Sequence, residues 1–252
     1  MSRIPYLQSF VSTTLYGGFV FGKQKGVNVG FGSSDFSALD NIIRKQVEEH
    51  RKSASRADWK SGNGDILDRA LMDSEYGTKA STSEIVDQMK TFFFAGNDTT
   101  SAVLSWIYIY LSKNPSILAR LRKELDSVFG ANTEPDDVAD QILTNPKLLN
   151  QLEYTLAVIR ETLRLEPPAQ PIRTPAQPYS VTTRLGTTCV IEPGVMVMIN
   201  VYQMARSKMV WGEDAEVFNP ERFLNKSVPS AFMSFSRRPR DCIGTNLAYL
   251  EV

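Results

Sequence analysis

The chain has 252 residues, 42% of them hydrophobic, and its 28 basic side chains balance 28 acidic ones. This length and apolar content suffice for one large domain or two modest ones, and they exclude an intrinsically disordered composition. Zero net charge argues against a nucleic-acid-binding protein, which would need a basic face to neutralise phosphates.

Cysteine and histidine are scarce. Cys189 and Cys242 lie far apart and form no Cys-x-x-Cys pattern, so a disulfide scaffold is not expected and a reducing compartment fits best. The single histidine, His50, lies in a charged run and is predicted to be a solvated helix residue. This argues against histidine-based catalytic triads and histidine-rich metal sites.

Residues 1–34 contain six glycines and no acid, and they are predicted to be an irregular or incomplete segment. A transit peptide is the alternative. Apolar residues at helical spacing then predict an amphipathic helix over about 35–52, and a short helix follows around Ile66–Met72. No uninterrupted apolar stretch of about 18 residues occurs, so no membrane-spanning helix is encoded.

The centre of the chain is predicted to be helical. Ser81-Thr-Ser-Glu84 has the capping-box pattern and opens a helix that nothing stops before Asn114-Pro115. Asn114 is predicted to cap the next helix, which ends at Gly130. Asn145-Pro146 repeats this start signal, and the helix that it opens is predicted to reach Pro167-Pro168.

The residue pattern changes from helical to strand-like after Pro167 and Pro168. Strands are predicted near 179–181, 189–191 and 195–199, with Pro193-Gly194 as a turn before the last of them. Residues 200–241 are predicted to be mostly loop. The predicted fold is therefore mainly α with a small β element.

The long central helix carries a polar cluster between two apolar halves. Ala95 and Gly96 remove side-chain bulk beside Asp98 and Thr99, which suggests a flat ligand packed against the helix. The alternative is a polar crossing of two helices with ordinary small residues.

Cys242 lies in a loop that starts at Phe235, with Arg237, Arg238 and Arg240 just before the cysteine and a predicted helix just after Gly244. The positive end of that helix and the arginines both favour a thiolate. Such a thiolate could be a nucleophile, a redox thiol or a metal ligand.

Two charged pairs complete the set of candidate residues. Glu161 and Arg164 lie at i and i+3 on the helix before the prolines, opposite its leucine stripe. Alone, this pair and the neighbouring Glu221 and Arg222 would be interpreted as solvated ion pairs.

Taken together and in order, these residues resemble the four signatures of the cytochrome P-450 family. The signatures are Ala95-Gly96-x-Asp98-Thr99, Glu161-x-x-Arg164, Pro220-Glu221-Arg222-Phe223 and Phe235…Arg240-x-Cys242-x-Gly244-x-x-x-Ala248. The resemblance covers about residues 36–252, and the flanks look like fungal microsomal members. It implies a partial cytochrome P-450 fold, with residues 35–252 as the carboxyl-terminal portion of a haem-thiolate monooxygenase domain.

The resemblance also implies a role for each residue. Cys242 would be the axial thiolate of the iron of a haem, an iron protoporphyrin. Asp98 and Thr99 would hold the water relay that protonates bound dioxygen, with Ala95, Gly96, Phe235 and Gly244 among the cofactor-contacting positions. Arg240, and less directly Arg173, would reach the haem propionates. Glu161, Arg164 and Arg222 would form a network that fixes the cysteine loop.

The activity implied is insertion of one atom of dioxygen into a small apolar organic substrate. Electrons would come from NADPH through a flavoprotein reductase, at the cytosolic face of the endoplasmic reticulum membrane. Isomerases and dehydratases of the family, which need no reductase, are an alternative. Another is a truncated, non-catalytic family fragment with little or no haem binding, because members normally have about twice this length.

Two features fall outside the family pattern. Arg238 stands where the cysteine loop usually has a glycine, so strain is expected there. Cys189 has no comparable context and is predicted to be a buried structural thiol.

Overall fold

The computed structural model describes residues 33–53, 66–72, 80–224, 228–237 and 239–252. The predictions for residues 1–32 and for Arg238 lie outside the described residues. The chain forms two compact units, Met1–Asp98 and Thr99–Val252.

Three helices contribute to the core of the first unit. They are α1 (Ser33–Ser53), α2 (Ile66–Met72) and the first part of α3 (Thr82–Lys113). Ile43 and Val47 from α1 pack with Ile85, Val86 and Met89 from α3, and Leu67 of α2 packs against them. Ile43 and Val47, which belong to the apolar periodicity that predicted α1, are thus buried in this core.

The predicted capping box of α3 is confirmed. The Ser81 N–H donates to Glu84 Oε2 at 2.7 Å, and the Glu84 N–H donates to Ser81 Oγ at 3.2 Å. By contrast, the prediction of a solvated His50 was wrong, because the ring is half-buried and its Nδ1 lies 2.8 Å from Asp68 Oδ1.

The second unit continues from α3 through helices on either side of a 3₁₀ turn. They are α4 (Pro115–Phe129), α5 (Pro135–Thr144), the 3₁₀ helix Pro146–Gln151 and α6 (Glu153–Leu165). The prediction of one helix from Pro146 to the prolines was wrong. The helix is interrupted at Leu152. The Glu124 carboxylate of α4 accepts hydrogen bonds from the N–H groups of Tyr154 and Thr155 at 2.6 and 2.8 Å. A side chain distant in sequence therefore caps a new helix.

Asn114 also behaves differently from the prediction. Its side chain makes no cap hydrogen bond to α4. Instead, Nδ2 donates to the carbonyl oxygen of Tyr110 at 2.8 Å, which satisfies the end of α3.

Helix α6 lies at the centre of the second unit. Tyr154 and Val158 pack with Leu111 and Phe218, whereas Ile159 and Leu163 pack with Val103 of α3. Nine of its residues are buried, including Glu161 and Arg164. Both faces of α6 are therefore covered, not only the leucine stripe.

The strands form two small antiparallel pairs among the described residues. β1 (Ile172–Arg173) pairs with β4 (Val197–Met198), and β2 (Tyr179–Thr182) pairs with β3 (Thr188–Ile191). The predicted strands and the Pro193-Gly194 turn are confirmed, because Gly194 has φ +85° and the Val195 N–H reaches the Glu192 carbonyl at 3.2 Å. The mainly α fold with a small β element is as predicted.

The prediction that Cys189 is buried was wrong. Cys189 is exposed in β3, and every residue of β2 and β3 except Ile191 is exposed. This hairpin pairs with no other strand in the described part of the chain, and the exposure of side chains on both of its faces shows that nothing described packs over it.

The segment predicted to be loop contains short helices. They are α7 (Val201–Ala205), α8 (Lys208–Trp211) and the 3₁₀ helix Pro220–Phe223, and α9 (Thr245–Glu251) follows the cysteine loop. Within the described ranges, no helix is both long and apolar enough to cross a membrane.

Candidate haem-thiolate site

The loop that carries Cys242 is closed by its own backbone. The Cys242 N–H donates to the Phe235 carbonyl oxygen at 2.8 Å, and Thr245 Oγ1 donates to the Cys242 carbonyl oxygen at 2.8 Å. Cys242 is a free, exposed thiol at the start of α9. The loop therefore presents the sulfur at the surface of the second unit while fixing the backbone on both sides.

Gly244 leaves space beside the sulfur. Its φ is −86°, which any residue can adopt, so the backbone does not require glycine here. A Cβ at this position would lie 3.8 Å from Cys242 Sγ. A larger side chain at position 244 would extend along the sulfur, so glycine keeps this flank of the thiol uncovered.

Among the described residues of the cysteine loop, backbone strain appears at Ser236. Ser236 has φ +63°, in the left-handed region that non-glycine residues rarely adopt. Arg237 and Arg240 are both exposed, and the Arg240 N–H donates to the Arg237 carbonyl oxygen at 3.3 Å. Arg237 and Arg240 therefore remain open to solvent.

Helix α9 is held against α3 and α6. The rings of Phe235 and Tyr249 are 5.1 Å apart, and both contact the cluster of Val103, Ile159 and Leu163. Burial raises the pKa of Tyr249, and its contact with Arg160 partly opposes the shift. Thr100 Oγ1 donates to Glu251 Oε2 at 3.3 Å.

A small apolar cavity lies within this packing. Its volume is about 30 Å³, and its walls come from α3, α6, α9 and the loops at Pro168 and Phe235. A porphyrin would not fit in this volume. The cavity belongs to the packing that places the cysteine loop.

The polar cluster of α3 falls at the boundary between the two units. Thr99 lines the cavity of the second unit, whereas Ala95, Gly96 and Asp98 belong to the first. A Cβ added to Gly96 would meet no described atom within 4 Å. The structure thus brings Thr99 into the unit of Cys242, and it leaves the space beside Gly96 open.

Glu161 and Arg164 form a fully buried ion pair. Arg164 Nε and Nη2 donate to the two Glu161 carboxylate oxygens at 2.7 and 2.8 Å. The remaining donors of the guanidinium reach the carbonyl oxygens of Ala205, the last residue of α7, and of Ala215 and Val217 further along the chain. The pair is thus not solvated, and it fixes the backbone of residues 205–217.

Arg222 joins this network from the 3₁₀ helix Pro220–Phe223. Its Nε lies 3.5 Å from Glu161 Oε1, and its Nη1 donates to the Trp211 carbonyl oxygen at 2.9 Å. Its Nη2 contacts Asp214, and this contact lowers the pKa of the Asp214 carboxyl group. Glu161, Arg164 and Arg222 therefore converge on one buried point.

Arg173 lies beside the cysteine loop. Its Nη2 is 3.5 Å from Ser236 Oγ, and the side chain is otherwise exposed. An exposed guanidinium here can meet an anionic group that approaches the loop from solvent.

Other residues of the site were not identified from the sequence. The Asn219 N–H donates to Glu161 Oε1 at 2.8 Å, and Ser234 Oγ donates to the Leu163 carbonyl oxygen at 2.7 Å, which ties α6 to the segment before the cysteine loop. Their position next to Pro220 and Phe235 is the one signal that could have found them.

The donor set fits a haem better than a bare ion. Within the described residues, no group of three or more histidine, cysteine or acidic side chains could hold a metal ion. Cys242 is a single sulfur donor beside exposed apolar residues, among them Ile243 and Leu247. One thiolate suits a metal whose other ligands come from a macrocycle, and the apolar neighbours suit its faces.

Comparison with known proteins identifies the family. The family model described as cytochrome P450 matches residues 33–252. An echinocystic acid 23-monooxygenase of Saponaria officinalis is 34% identical over 240 residues, which cover 87% of this chain and 43% of that protein. A cytokinin hydroxylase of Arabidopsis thaliana is 34% identical over 217 residues, covering 84% of this chain and 40% of that protein.

A fungal relative is more distant. The cytochrome P450 monooxygenase acrF of Aspergillus aculeatus is 28% identical over 243 residues, covering 86% of this chain and 48% of that protein. The chain thus spans less than half the length of each of these three relatives. The match over residues 33–252, with the cysteine loop as the structure shows it, establishes that the chain belongs to the cytochrome P450 family.

Proposed function

We propose that the protein is a haem-dependent monooxygenase that inserts one atom of dioxygen into a small apolar organic substrate. The observation that carries the proposal is the exposed Cys242 thiol in a closed loop at the start of α9, in a chain of the cytochrome P450 family. Two relatives bear the names of a monooxygenase and a hydroxylase, which supports the same reaction class.

Cys242 would hold the haem iron through its sulfur. A bound haem with a thiolate ligand supplies the activation of dioxygen that oxygen insertion needs. The backbone hydrogen bonds of Cys242 to Phe235 and Thr245 would keep the sulfur in place, and Gly244 would leave its flank free. Arg240 and Arg173 would bind the propionates by charge-assisted hydrogen bonds.

Residues in the central part of α3 would also contact the cofactor. Ala95 and Gly96 have little side-chain bulk, and the space beside Gly96 is open among the described atoms. Asp98 and Thr99 would hold and pass protons at their carboxylate and hydroxyl oxygens. The buried network of Glu161, Arg164 and Arg222 would keep the segment before the cysteine loop from shifting.

The partners follow from the same family reasoning. Electrons would come from NADPH through a flavoprotein reductase, with the protein at the cytosolic face of the endoplasmic reticulum membrane. The neutral charge of the chain supports a small-molecule substrate rather than a nucleic acid.

The test uses the complete gene product. After reduction, carbon monoxide should give the red-shifted Soret band of a thiolate-ligated haem, and Cys242→Ser should abolish it. With lauric acid as an apolar probe, isotopically labelled dioxygen should place one labelled oxygen in the product, and only with NADPH and reductase. A lauric acid product that carries no labelled oxygen, or that forms without NADPH, would contradict the monooxygenase assignment.

A further inference from the structure

A second buried cluster lies just after α6 and plays no part in the site described above. Glu166 follows α6, and its side chain is only 15% exposed. Its Oε1 accepts hydrogen bonds from Tyr110 Oη at 2.8 Å and from Arg206 Nη2 at 2.9 Å. One carboxylate oxygen thus joins α3, the end of α6 and the turn after α7.

The partners of Glu166 are themselves held in place. The Tyr110 ring stacks on Phe218 with 4.4 Å between centroids, and the Arg206 guanidinium lies 3.6 Å from the centroid of the Tyr202 ring. Arg206 Nη1 also donates to the Leu165 carbonyl oxygen. Burial raises the pKa of Tyr110, so its hydroxyl remains a hydrogen-bond donor.

Glu166 begins a segment in which the next two residues cannot be held by backbone N–H donors. Pro167 and Pro168 have no N–H groups, so they cannot donate backbone hydrogen bonds. Further along, Gln170 Oε1 accepts from the Val201 N–H at 2.7 Å, and the Pro171 carbonyl accepts from the Ile199 N–H at 2.9 Å. The carboxylate of Glu166 is the side-chain anchor before the prolines.

The far end of this segment reaches the cysteine loop. Residues 166–173 pass Pro168, which lines the small cavity, and end at Arg173 in β1. The Arg173 Nη2 lies 3.5 Å from Ser236 Oγ, six residues before Cys242. β1 pairs with β4, and β4 leads through α7 to Arg206, so Glu166 is tied to both strands of this pair. A shift of the β1–β4 pair relative to α3 would therefore move Arg173 relative to the loop.

We infer that Glu166 is a positioning residue, whose carboxylate, shared by Tyr110 and Arg206, sets where Arg173 stands beside the Cys242 loop. This inference rests on the proposed function, because Arg173 would act on a haem propionate. Glu166 touches neither the thiol nor the cavity. Its effect on the cofactor is transmitted through residues 167–173.

The test is a double-mutant cycle in the complete gene product, with the rate of haem transfer to apomyoglobin as the readout. Arg173→Gln should speed haem loss about tenfold, as expected when one charge-assisted contact is lost. Glu166→Gln alone should speed it about fivefold, because the amide still fills the site but loses the charge that holds Arg206. The double variant should lose haem about as fast as Arg173→Gln alone.

Tyr110→Phe provides a milder second probe, since it removes one hydrogen bond and keeps the stacking on Phe218. It should accelerate haem loss about twofold to threefold, and this effect too should vanish in the Arg173→Gln background. Arg120→Lys, at an exposed pair with Glu221, is the matched control and should leave the rate unchanged.

The outcomes separate the inference from the proposed function. Multiplicative effects of Glu166→Gln and Arg173→Gln, or no effect of Glu166→Gln and Tyr110→Phe, would overturn the positioning role while leaving the haem assignment intact. A wild-type protein without thiolate-ligated haem would overturn both.

Discussion

Replacing Arg164 by lysine keeps the positive charge of the buried network but removes the planar guanidinium. Arg164 donates five hydrogen bonds, two to Glu161 and three to the carbonyl oxygens of Ala205, Ala215 and Val217. A lysine ammonium has three donors on one nitrogen, so at least two of the five hydrogen bonds are lost. At about 1.5–3 kcal/mol for each charge-assisted hydrogen bond, the free energy of unfolding should fall by about 3–6 kcal/mol.

The assay is thermal unfolding of the complete gene product, followed by circular dichroism. A loss of about 3 kcal/mol would lower Tm by roughly 6–12 °C in a domain of 150–250 residues, and the shift should be smaller, a few degrees, in a larger domain. Arg120→Lys is the matched control, because Arg120 and Glu221 form an exposed pair, each side chain 51% exposed, which contributes at most about 1 kcal/mol. Equal Tm shifts for the two variants would refute the account of the buried network.

Three further changes test other parts of the structure. Thr99→Ala should divert electrons from product to reduced oxygen species, because the hydroxyl would no longer hold a proton, and unchanged coupling of NADPH use to product would contradict the relay. Glu84→Gln should flatten the dependence of stability on pH, since hydrogen bonds from the Ser81 backbone N–H and side chain lower the pKa of Glu84. The Glu84 carboxylate stabilises the folded state above its unfolded pKa of 4.5, and this stabilisation is lost as pH falls through the lower folded pKa. Urea unfolding at several pH values measures the effect, and a variant with the same dependence of stability on pH as the wild type would count against it. Ser236→Val should lower stability by about 1–3 kcal/mol, because a β-branched residue resists φ +63°, whereas Ser236→Gly should not; equal effects would argue against strain at this position.

Local signals predicted the parts of the fold whose physics is local. The capping box at Ser81 and Glu84 and the turn at Pro193-Gly194 each depend on residues within a few positions of each other. Their partners were therefore visible in the sequence. The order of the four signatures then predicted the residues of the candidate site, with Cys242 as its centre.

The misses share a different cause, which is contact between residues distant in sequence. The start of α6 is set by Glu124, about thirty positions earlier, and no periodicity could reveal that cap. Glu161 and Arg164 looked like a surface pair because the carbonyl groups that bury them come from residues 205–217. Whether the hairpin of Cys189 packs on a neighbouring element is likewise decided by tertiary structure. Its β-branched residues predict a strand, but they do not predict whether the strand is exposed.

Glu166 shows the same limit at a single position. An acid before two prolines has no helical or strand periodicity, and its partners Tyr110 and Arg206 lie 56 and 40 residues away. The sequence shows that the two prolines lack N–H groups. It does not show that Tyr110 and Arg206 bind the carboxylate of Glu166 just before them.

The most direct test of the central claim is X-ray absorption at the iron edge of the purified complete gene product. The account predicts one sulfur neighbour at bonding distance from iron, retained in Cys189→Ser and lost in Cys242→Ser. A sulfur neighbour that persists in Cys242→Ser, or an iron that has none in the wild type, would contradict it.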